Sequence, residues 1–503
     1  MQKLFSSFVA FLSVVLSFVV TAPAPVLAGP LQAVDCTRYV AVNGNDSNTG
    51  QTIAAPLRTI QKAANLSVAG DVVCVRAGVY YQRINITRSG QAGQPVTFQS
   101  YPGERAVLDG GNLTVPAAVD GLVHVKGADY IVFKNFEVRN YRTSTADVVP
   151  VGIRISGLAH HVEIRNNAIH HIEHNGTSSN GTDAHGIAVY GTSGVTAIHD
   201  ITIDRNHLYN LKLGSSEGLV INGNVENWWV TNNTLHDMDN IGIDAIGYEQ
   251  TAPANDQARN GFITGNHVYN IDTYGNPAYG TERSASCIYV DGGKSILIHR
   301  NRVHHCNLGI EIASEHQTGS TSYITVRNNL IYSNTEVGLA MGGYDTQRGS
   351  TTNCVVVNNT LFKNNTSNDW GAELYIQYKV NNNIIQNNII YAGSARRYIG
   401  SWSNVMTGNL MDYNLFFSAG GAGGYWEWKG VTYTGFGAYR TASGNDAHSL
   451  NSTNPLLTSN YRLQSGSPAI NAGLAHSKSD PVDVDGQPRI QNGVIDIGAD
   501  EAP

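Results

Sequence analysis

From about residue 119 onward, apolar residues recur in short alternating stretches, and these repeat as a two-part phrase. The first part is a strand usually opened by glycine. The series is Gly152-Ile153-Arg154-Ile155, Gly186-Ile187-Ala188-Val189, Gly218-Leu219-Val220-Ile221 and Gly242-Ile243-Asp244-Ala245. It continues with Cys287-Ile288-Tyr289-Val290, Gly309-Ile310-Glu311-Ile312 and Gly338-Leu339-Ala340-Met341. The second part is an apolar strand closed by asparagine: Asn167, Asn206, Asn233, Asn266, Asn301, Asn328, Asn359 and Asn388. No unit is long enough to bury its own apolar face, so stacked units must share one core. Period-2 alternation turns Ile153 and Ile155 inward and Arg154 outward, and turns Trp228 inward and Trp229 outward. An asparagine repeated at one interior turn needs a polar partner, and stacked amides along the axis supply it. The pattern predicts an all-β, single-stranded parallel β-helix with rungs about 4.8 Å apart. A β-propeller would need four strands per blade with antiparallel hairpin turns, which the pattern lacks.

Both ends of such a solenoid expose unpaired edges and need covering. Near the N-terminus, residues 56–66 read as a short capping helix, with Pro56 at its start and Leu57, Ile60, Ala63 and Ala64 on one face. It lies between expected strands at residues 39–42 and 71–76. The segments Tyr39-Val-Ala-Val-Asn-Gly-Asn-Asp-Ser-Asn-Thr-Gly50, Pro56-Leu-Arg-Thr-Ile-Gln-Lys-Ala-Ala64 and Gly70-Asp-Val-Val-Cys-Val-Arg-Ala-Gly-Val-Tyr80 carry a resemblance. Together they look like the opening of secreted right-handed parallel β-helix carbohydrate-active enzymes. Pectate lyases, chondroitinase-B-like lyases and β-helix glycosidases share it. The resemblance implies a right-handed coil and a carbohydrate substrate, and it is specific for the fold rather than the reaction. The tail, with Gly466-Ser-Pro-Ala-Ile-Asn-Ala-Gly473 and Asp496-Ile-Gly-Ala-Asp-Glu501, resembles a terminal segment of bacterial β-helix proteins. There Asp483, Asp485, Asp496 and Asp500 are read either as polar turns closing the last rung or as a Ca²⁺ site. The EF-hand spacing is absent.

Composition narrows the partners. The chain has 503 residues, with 39 Asp and Glu against 32 Lys and Arg. The net charge of −7 argues against nucleic-acid binding, which needs excess basic charge. Charged residues at 14% and hydrophobic ones at 41% exclude a disordered chain. Lys3, the apolar run from Phe8 to Val20 and Val26-Leu27-Ala28 read as an export signal cleaved after Ala28. The expected organisation is a signal at residues 1–28, an N-terminal cap and first coils at 29–118, the site-bearing helix at 119–420, and C-terminal coils and cap at 421–503. The mature chain is expected to be secreted and monomeric, with no membrane span. Of five cysteines, Cys36 and Cys74 bracket one unit and suit a bridge in an oxidising compartment. Cys287 and Cys306, on strands of a single predicted coil, read as small buried hydrophobes.

Acids gather on one outward face. Aligned on the opening glycine, one outward position reads Arg154, Ala188, Val220, Asp244, Tyr289, Glu311, Ala340, Tyr375. The next outward position reads Ser156, Tyr190, Asn222, Ile246, Asp291, Ala313, Gly342, Gln377. Asp244, Asp291 and Glu311 thus fall on three successive rungs, with Glu315 one outward step further along its strand. Stacked acids repel and raise each other's pKa, which suits acid–base chemistry or a metal. Glycoside hydrolysis needs two carboxyls about 5–5.5 Å apart for retention or about 6.5–9.5 Å apart for inversion. Asp291 is expected as nucleophile or base, Glu311 as general acid and Asp244 as a tuning group. Glu315 is the alternative to Glu311, since β-helix β-xylosidases, which this stretch resembles loosely, place a Glu about one coil after an Asp. Inserts at residues 248–260 and 272–286 are expected to wall a cleft. Tyr248, Glu249, Tyr289, Lys294, Glu315, His316 and Tyr344 are the expected substrate contacts.

The leading expectation is a secreted glycoside hydrolase, which needs no cofactor. The second is a polysaccharide lyase with Lys294 or Arg283 as base and Ca²⁺ held by the acids; no Arg-His-Gly-Asn-type strand motif of the chondroitinase-B-like lyases is found. The third is a non-catalytic carbohydrate-binding module. The export reading predicts that N-terminal sequencing of the mature protein starts at Gly29, and retention of Met1 overturns it.

Overall fold

The inward positions of successive strands form unbroken aliphatic columns. Ile153 is followed on later rungs by Ile187, Leu219, Ile243, Ile288, Ile310, Leu339, Leu374 and Ile399. Two residues along, Ile155 is followed by Val189, Ile221, Ala245, Val290, Ile312, Met341 and Ile376. All are buried. Each such side chain taken from water contributes roughly 1.5–3 kcal/mol, so the core grows with every coil added. This computed structural model describes residues 36–502 apart from 117, 404–405, 421–422 and 492. The export segment expected at residues 1–28 lies outside the described residues. Three long sheets, of 17, 13 and 13 strands among the described residues and parallel apart from one terminal hairpin, run along the solenoid, as the repeat predicts.

The strand-opening glycines have a steric cause. A Cβ on Gly152, Gly242 or Gly338 would lie 2.6, 2.6 or 2.5 Å from the carbonyl oxygen of the next rung. At these three positions a glycine lets the coils close to the inter-strand distance without that clash.

The asparagine ladder forms inside the turn between two of the sheets. The Oδ1 of Asn266 accepts from the backbone N–H and the side-chain amide of Asn233, at 2.9 and 3.1 Å. The Asn266 amide in turn donates to Asn301 Oδ1 at 3.1 Å and to the Val230 carbonyl at 2.9 Å. The same arrangement links Asn167, Asn206, Asn233, Asn266, Asn301, Asn329, Asn359, Asn388 and Asn414. The ladder residue is therefore Asn329, not the expected Asn328. Asn328 occupies the left-handed position (φ 54°) that precedes each ladder residue, and its amide donates to Val482 in the C-terminal segment.

The capping helix is shorter than expected and spans Ile60–Leu66. Thr59 ends the preceding extended segment and its hydroxyl accepts the Lys62 N–H, so a side-chain N-cap sets the start rather than Pro56. Asp46 in turn accepts the N–H groups of Arg58 and Thr59. At the far end, the hairpin of Tyr425–Trp428 and Val431–Tyr433 and a second helix, Phe436–Ser443, cover the core through Trp426 and Tyr439.

The C-terminal segment runs back outside earlier coils, beyond the closing of the last rung. Asp480 pairs with His299 and Arg327, and buried Arg489 donates to Asn328. Its acids serve turns: Asp483 accepts the N–H groups of Asp485, Gln487 and Glu501, and Asp496 those of Asn471 and Ala502. Asp485 pairs with Arg462.

Two disulfides are present, Cys36–Cys74 and Cys287–Cys306. The second corrects the reading of Cys287 and Cys306 as unpaired hydrophobes: the corner where the strands Ser286–Asp291 and Arg302–Cys306 of two sheets meet brings their Cα atoms to 5.7 Å, well inside bridging range. Cys354 is buried and free.

Breaking the ladder once exposes the cost of an orphaned buried amide. Asn266→Ala leaves Asn233 and Val230 without partners, and we expect a loss of roughly 2–5 kcal/mol, read as a lowered urea midpoint. An unchanged midpoint would show that the ladder is incidental to stability.

Candidate active site

The outward column has the register expected from the sequence. Val220 pairs with Asp244, Asp244 with Tyr289, Tyr289 with Glu311 and Glu311 with Ala340. Asp244 and Glu311 thus lie two rungs apart with Tyr289 between them. Asp291 is one outward step further along the strand Ser286–Asp291, opposite Ala313. The parallel sheet dictates this: alternate residues face out, and each rung copies the register of the one before.

Apolar surface borders the acids on both sides along the axis. Val151, Ala188, Val220 and Ile246 cluster on one side; Leu308, Val337, Ala340, Ala372 and Tyr375 cluster on the other. The two inserts form walls. In the first, Gln257 donates to the Tyr248 hydroxyl at 3.0 Å, and Glu249 accepts from Asn222 at 2.7 Å. In the second, Asn276 donates to the carbonyls of Gly214 and Asp239, and the Tyr279 hydroxyl accepts from Asn240 at 3.3 Å. A third wall comes from the turn after Ala313, where Arg348 donates to the Glu315 carbonyl at 3.2 Å and stacks over Tyr344.

The carboxyls are crowded and largely stripped of water. Burial first, and then Glu315, Glu249 and Glu311, push Asp291 well above the usual carboxylate range, although its Oδ1 accepts the Glu315 N–H at 2.7 Å. Asp244 is 2% exposed, and its Oδ1 has no hydrogen-bond partner among the described residues. Burial raises it well above the ordinary value, and Glu217, Asp291, Glu249 and Glu315 add to the effect. Glu311 is pushed up to about 7 by burial, against the 2.8 Å hydrogen bond that it accepts from Ser286. Glu315, open to solvent at one edge, is raised by the protein packed around it, with Arg348 opposing. After burial, the charges of Asp291, Glu311, Glu315 and Asp244 all act on the Tyr289 phenol, which marks it as the hub of the group.

Other expected contacts separate by place. Glu249, Asp291 and His316 have donor atoms all within 4.8 Å of one another, an arrangement that could hold a cation. Tyr248 and Tyr344 lie in the walls. Lys294 does not join them: it is exposed on the strand Lys294–His299 of another sheet, between Arg259 and Ser322. Arg283 is occupied with Asp272 and the ring of Tyr274. The sequence reading missed Glu217 and His185. Glu217 is raised well above the usual range by burial, then by Glu249 and Asp183. His185 is held near 4 by burial, and its Nε2 lies 2.9 Å from the Tyr190 hydroxyl. Their signal was position: each directly precedes a strand-opening glycine, at an outward site that the alignment left out. A groove of about 540 Å³ lies on another sheet beside Trp229 and Phe262, but no carboxylate lines it.

Comparison with known proteins agrees with this architecture. Residues 38–194 match the family described as "Pel9A-like, right handed beta helix region", and residues 151–361 match "Right handed beta helix region". The Bacillus subtilis protein "Uncharacterized protein YwoF" is 37% identical over 412 residues, spanning 82% of this chain and 86% of its own. The chain belongs to the right-handed β-helix family of YwoF. The family's right-handed coil is the hand expected at the outset. A shorter match, 36% identical over 113 residues, covers 20% of this chain and 27% of "Pectate lyase PEL9" of Emericella nidulans. Among solved structures, "Crystal structure of pectate lyase Pel9A" is similar at 18% identity and TM-score 0.45, over 93% of this chain and all of that one. No helix among the described residues is long and apolar enough to cross a membrane.

The raised carboxyls set the direction of the pH dependence of stability. Glu311 titrates near 7 in the fold, and Glu373, buried beside Asn364, near 8, against an ordinary 4.5. The unfolded chain releases these protons near pH 4.5 while the folded chain holds them. Their contribution is therefore full below pH 4.5 and is lost as pH rises through 7 and 8. Thermal melts should fall in midpoint across that window, and Glu311→Gln and Glu373→Gln should each flatten the fall. Slopes identical to that of the unsubstituted protein would contradict the assignment.

Proposed function

We propose that this protein is a secreted glycoside hydrolase acting on a carbohydrate chain laid across the outward face that carries Asp244, Asp291 and Glu311. The observation that carries the reading is the character of that face. The charges acting most strongly on Asp291 and Asp244 are all carboxylates, in a site bordered by apolar surface. Such a group cannot ionise all at once, so near neutral pH it holds protonated and ionised carboxyls side by side. Glycosidic cleavage uses both: a proton for the leaving oxygen, and a carboxylate that attacks the anomeric carbon or activates water. Glu311, near 7 and fed by the Ser286 hydroxyl, suits the proton donor. Asp291, with one oxygen fixed by the Glu315 N–H, suits the nucleophile or base. Asp244, itself raised by burial and then by Glu217 and Asp291, is the tuning group, and Glu315 is the alternative donor. A face on which acids outnumber bases also disfavours the carboxylates of uronate polymers, which favours neutral sugars. Two disulfides accord with an oxidising compartment outside the cytosol.

A second reading rests on the Glu249, Asp291 and His316 cluster and on the Pel9A-like match: a lyase that neutralises a uronate with a divalent cation. Lys294 does not serve as its base, because it faces away from the site.

Incubation with a panel of neutral and uronate polysaccharides separates the two. New reducing ends without ultraviolet absorbance are expected; chelator-sensitive absorbance from an unsaturated product would replace the hydrolase with the lyase. Asp291→Asn and Glu311→Gln should each lower turnover roughly 10²–10⁴-fold with an unchanged circular dichroism spectrum. Near-normal turnover in both would remove these two residues from the chemistry.

A further inference from the structure

A second constellation of chemistry-bearing side chains lies on a different sheet and is unused by the reaction proposed above. The strands His160–Arg165 and Ile198–Asp204 pair with His160 opposite His199 and Val162 opposite Ile201. Between these pairs, each rung inserts one residue in the left-handed conformation: Tyr130, His161, Asp200, Asn227, Asn260 and Ser295 all have φ of 53–54°. In a regular strand, neighbouring side chains face opposite ways. The left-handed residue undoes that alternation, so His160 and His161, and likewise His199 and Asp200, meet on the outside. Two adjacent rungs thereby bring three imidazoles and one carboxylate together.

The hydrogen bonding of this group leaves a gap that a cation fits. His160 Nε2 faces Asp129 Oδ2 at 3.5 Å, and His160 Nδ1 lies 2.9 Å from His161 Nδ1. With the His160 proton on Nε2 toward Asp129, His161 donates from Nδ1, and its Nε2 carries a bare lone pair. That Nε2 points at Asp200 Oδ2 across 3.7 Å, too far for a hydrogen bond. His199 Nδ1 approaches the same oxygen at 2.7 Å. The donor atoms of His161, His199 and Asp200 all lie within 4.8 Å of one another. Tetrahedral Zn²⁺, with bonds of about 2.0–2.1 Å, needs its donors roughly 3.3 Å apart, so small side-chain rotations suffice. Tyr130 stacks on His161 at 4.5 Å and closes one side.

We infer that His161, His199 and Asp200 form a binding site for a divalent transition metal of the zinc class, with His160 as the positioning residue that sets the His161 tautomer. Two nitrogens and one carboxylate oxygen suit Zn²⁺ rather than Ca²⁺, which prefers oxygen. The metal takes the Nδ1 lone pair of His199 as the imidazole proton moves from Nδ1 to Nε2, and it ties two coils together on the sheet away from the acid face, so it acts on stability rather than on turnover.

The test uses the untagged mature protein with Co²⁺, whose visible d–d absorption reports coordination by nitrogen and oxygen, and Zn²⁺ as competitor. One equivalent is expected to bind with a rise in melting temperature. His161→Ala and Asp200→Asn should each abolish the spectrum. His160→Ala should weaken binding roughly 10–100-fold while keeping the stoichiometry. His267→Ala/His304→Ala, which removes another close imidazole pair with Nε2 atoms 2.8 Å apart, should bind as the parent does. No saturable uptake by the parent, or loss of uptake in the His267/His304 variant with retention in His161→Ala, overturns the assignment.

Discussion

Everything in this protein depends on the rung-to-rung register of its parallel sheets. A single coil has an apolar inner face and no core, so it is stable only when its neighbours cover it. Two devices hold the register. Glycines at the strand openings let backbones approach where a Cβ would strike the next carbonyl at 2.5–2.6 Å. Asparagines at one interior turn satisfy each other's amides and the backbone on either side. A slip by one residue would put the aliphatic columns outside and the ladder out of reach.

That rigidity is what allows carboxyls to be crowded together. Asp244, Tyr289 and Glu311 are held at adjacent rungs by hydrogen-bonded strands whose inner faces are buried Ile and Val. The repulsion among the acids is taken up as protonation rather than as movement, because the scaffold does not yield. The result is a face on which proton donors and carboxylates coexist, bordered by apolar patches and walled by inserts that leave the coil at Tyr248 and return by Ser286. The same register sets the imidazole and carboxylate group on the neighbouring sheet. There, a left-handed residue in each rung presents consecutive side chains on one side, a geometry that a regular strand forbids.

Much of this was legible in the chain. The two-part repeat, with Ile153, Ile187, Leu219 and their successors inside and Asp244, Tyr289 and Glu311 outside, follows from strand alternation and the opening glycines, and the structure has that register. Where the reading missed, the cause was local. Asn328 was taken for the ladder because two asparagines are adjacent there, and only the turn conformation separates them. The capping helix begins at Ile60, after the Thr59 N-cap, because a hydroxyl cap prevails over a proline signal. Glu217 and His185 were passed over because their outward position lies one residue before the glycine used as the marker.

The sequence by itself determined which residues share a strand face, because side-chain direction alternates with a period of two and needs no knowledge of partners. Only the tertiary structure decided which loops fold over that face, that Cys287 reaches Cys306, that Lys294 turns to another sheet, and which carboxyls lose their water. Those outcomes depend on distances between segments remote in the chain, and neither alternation nor composition encodes them.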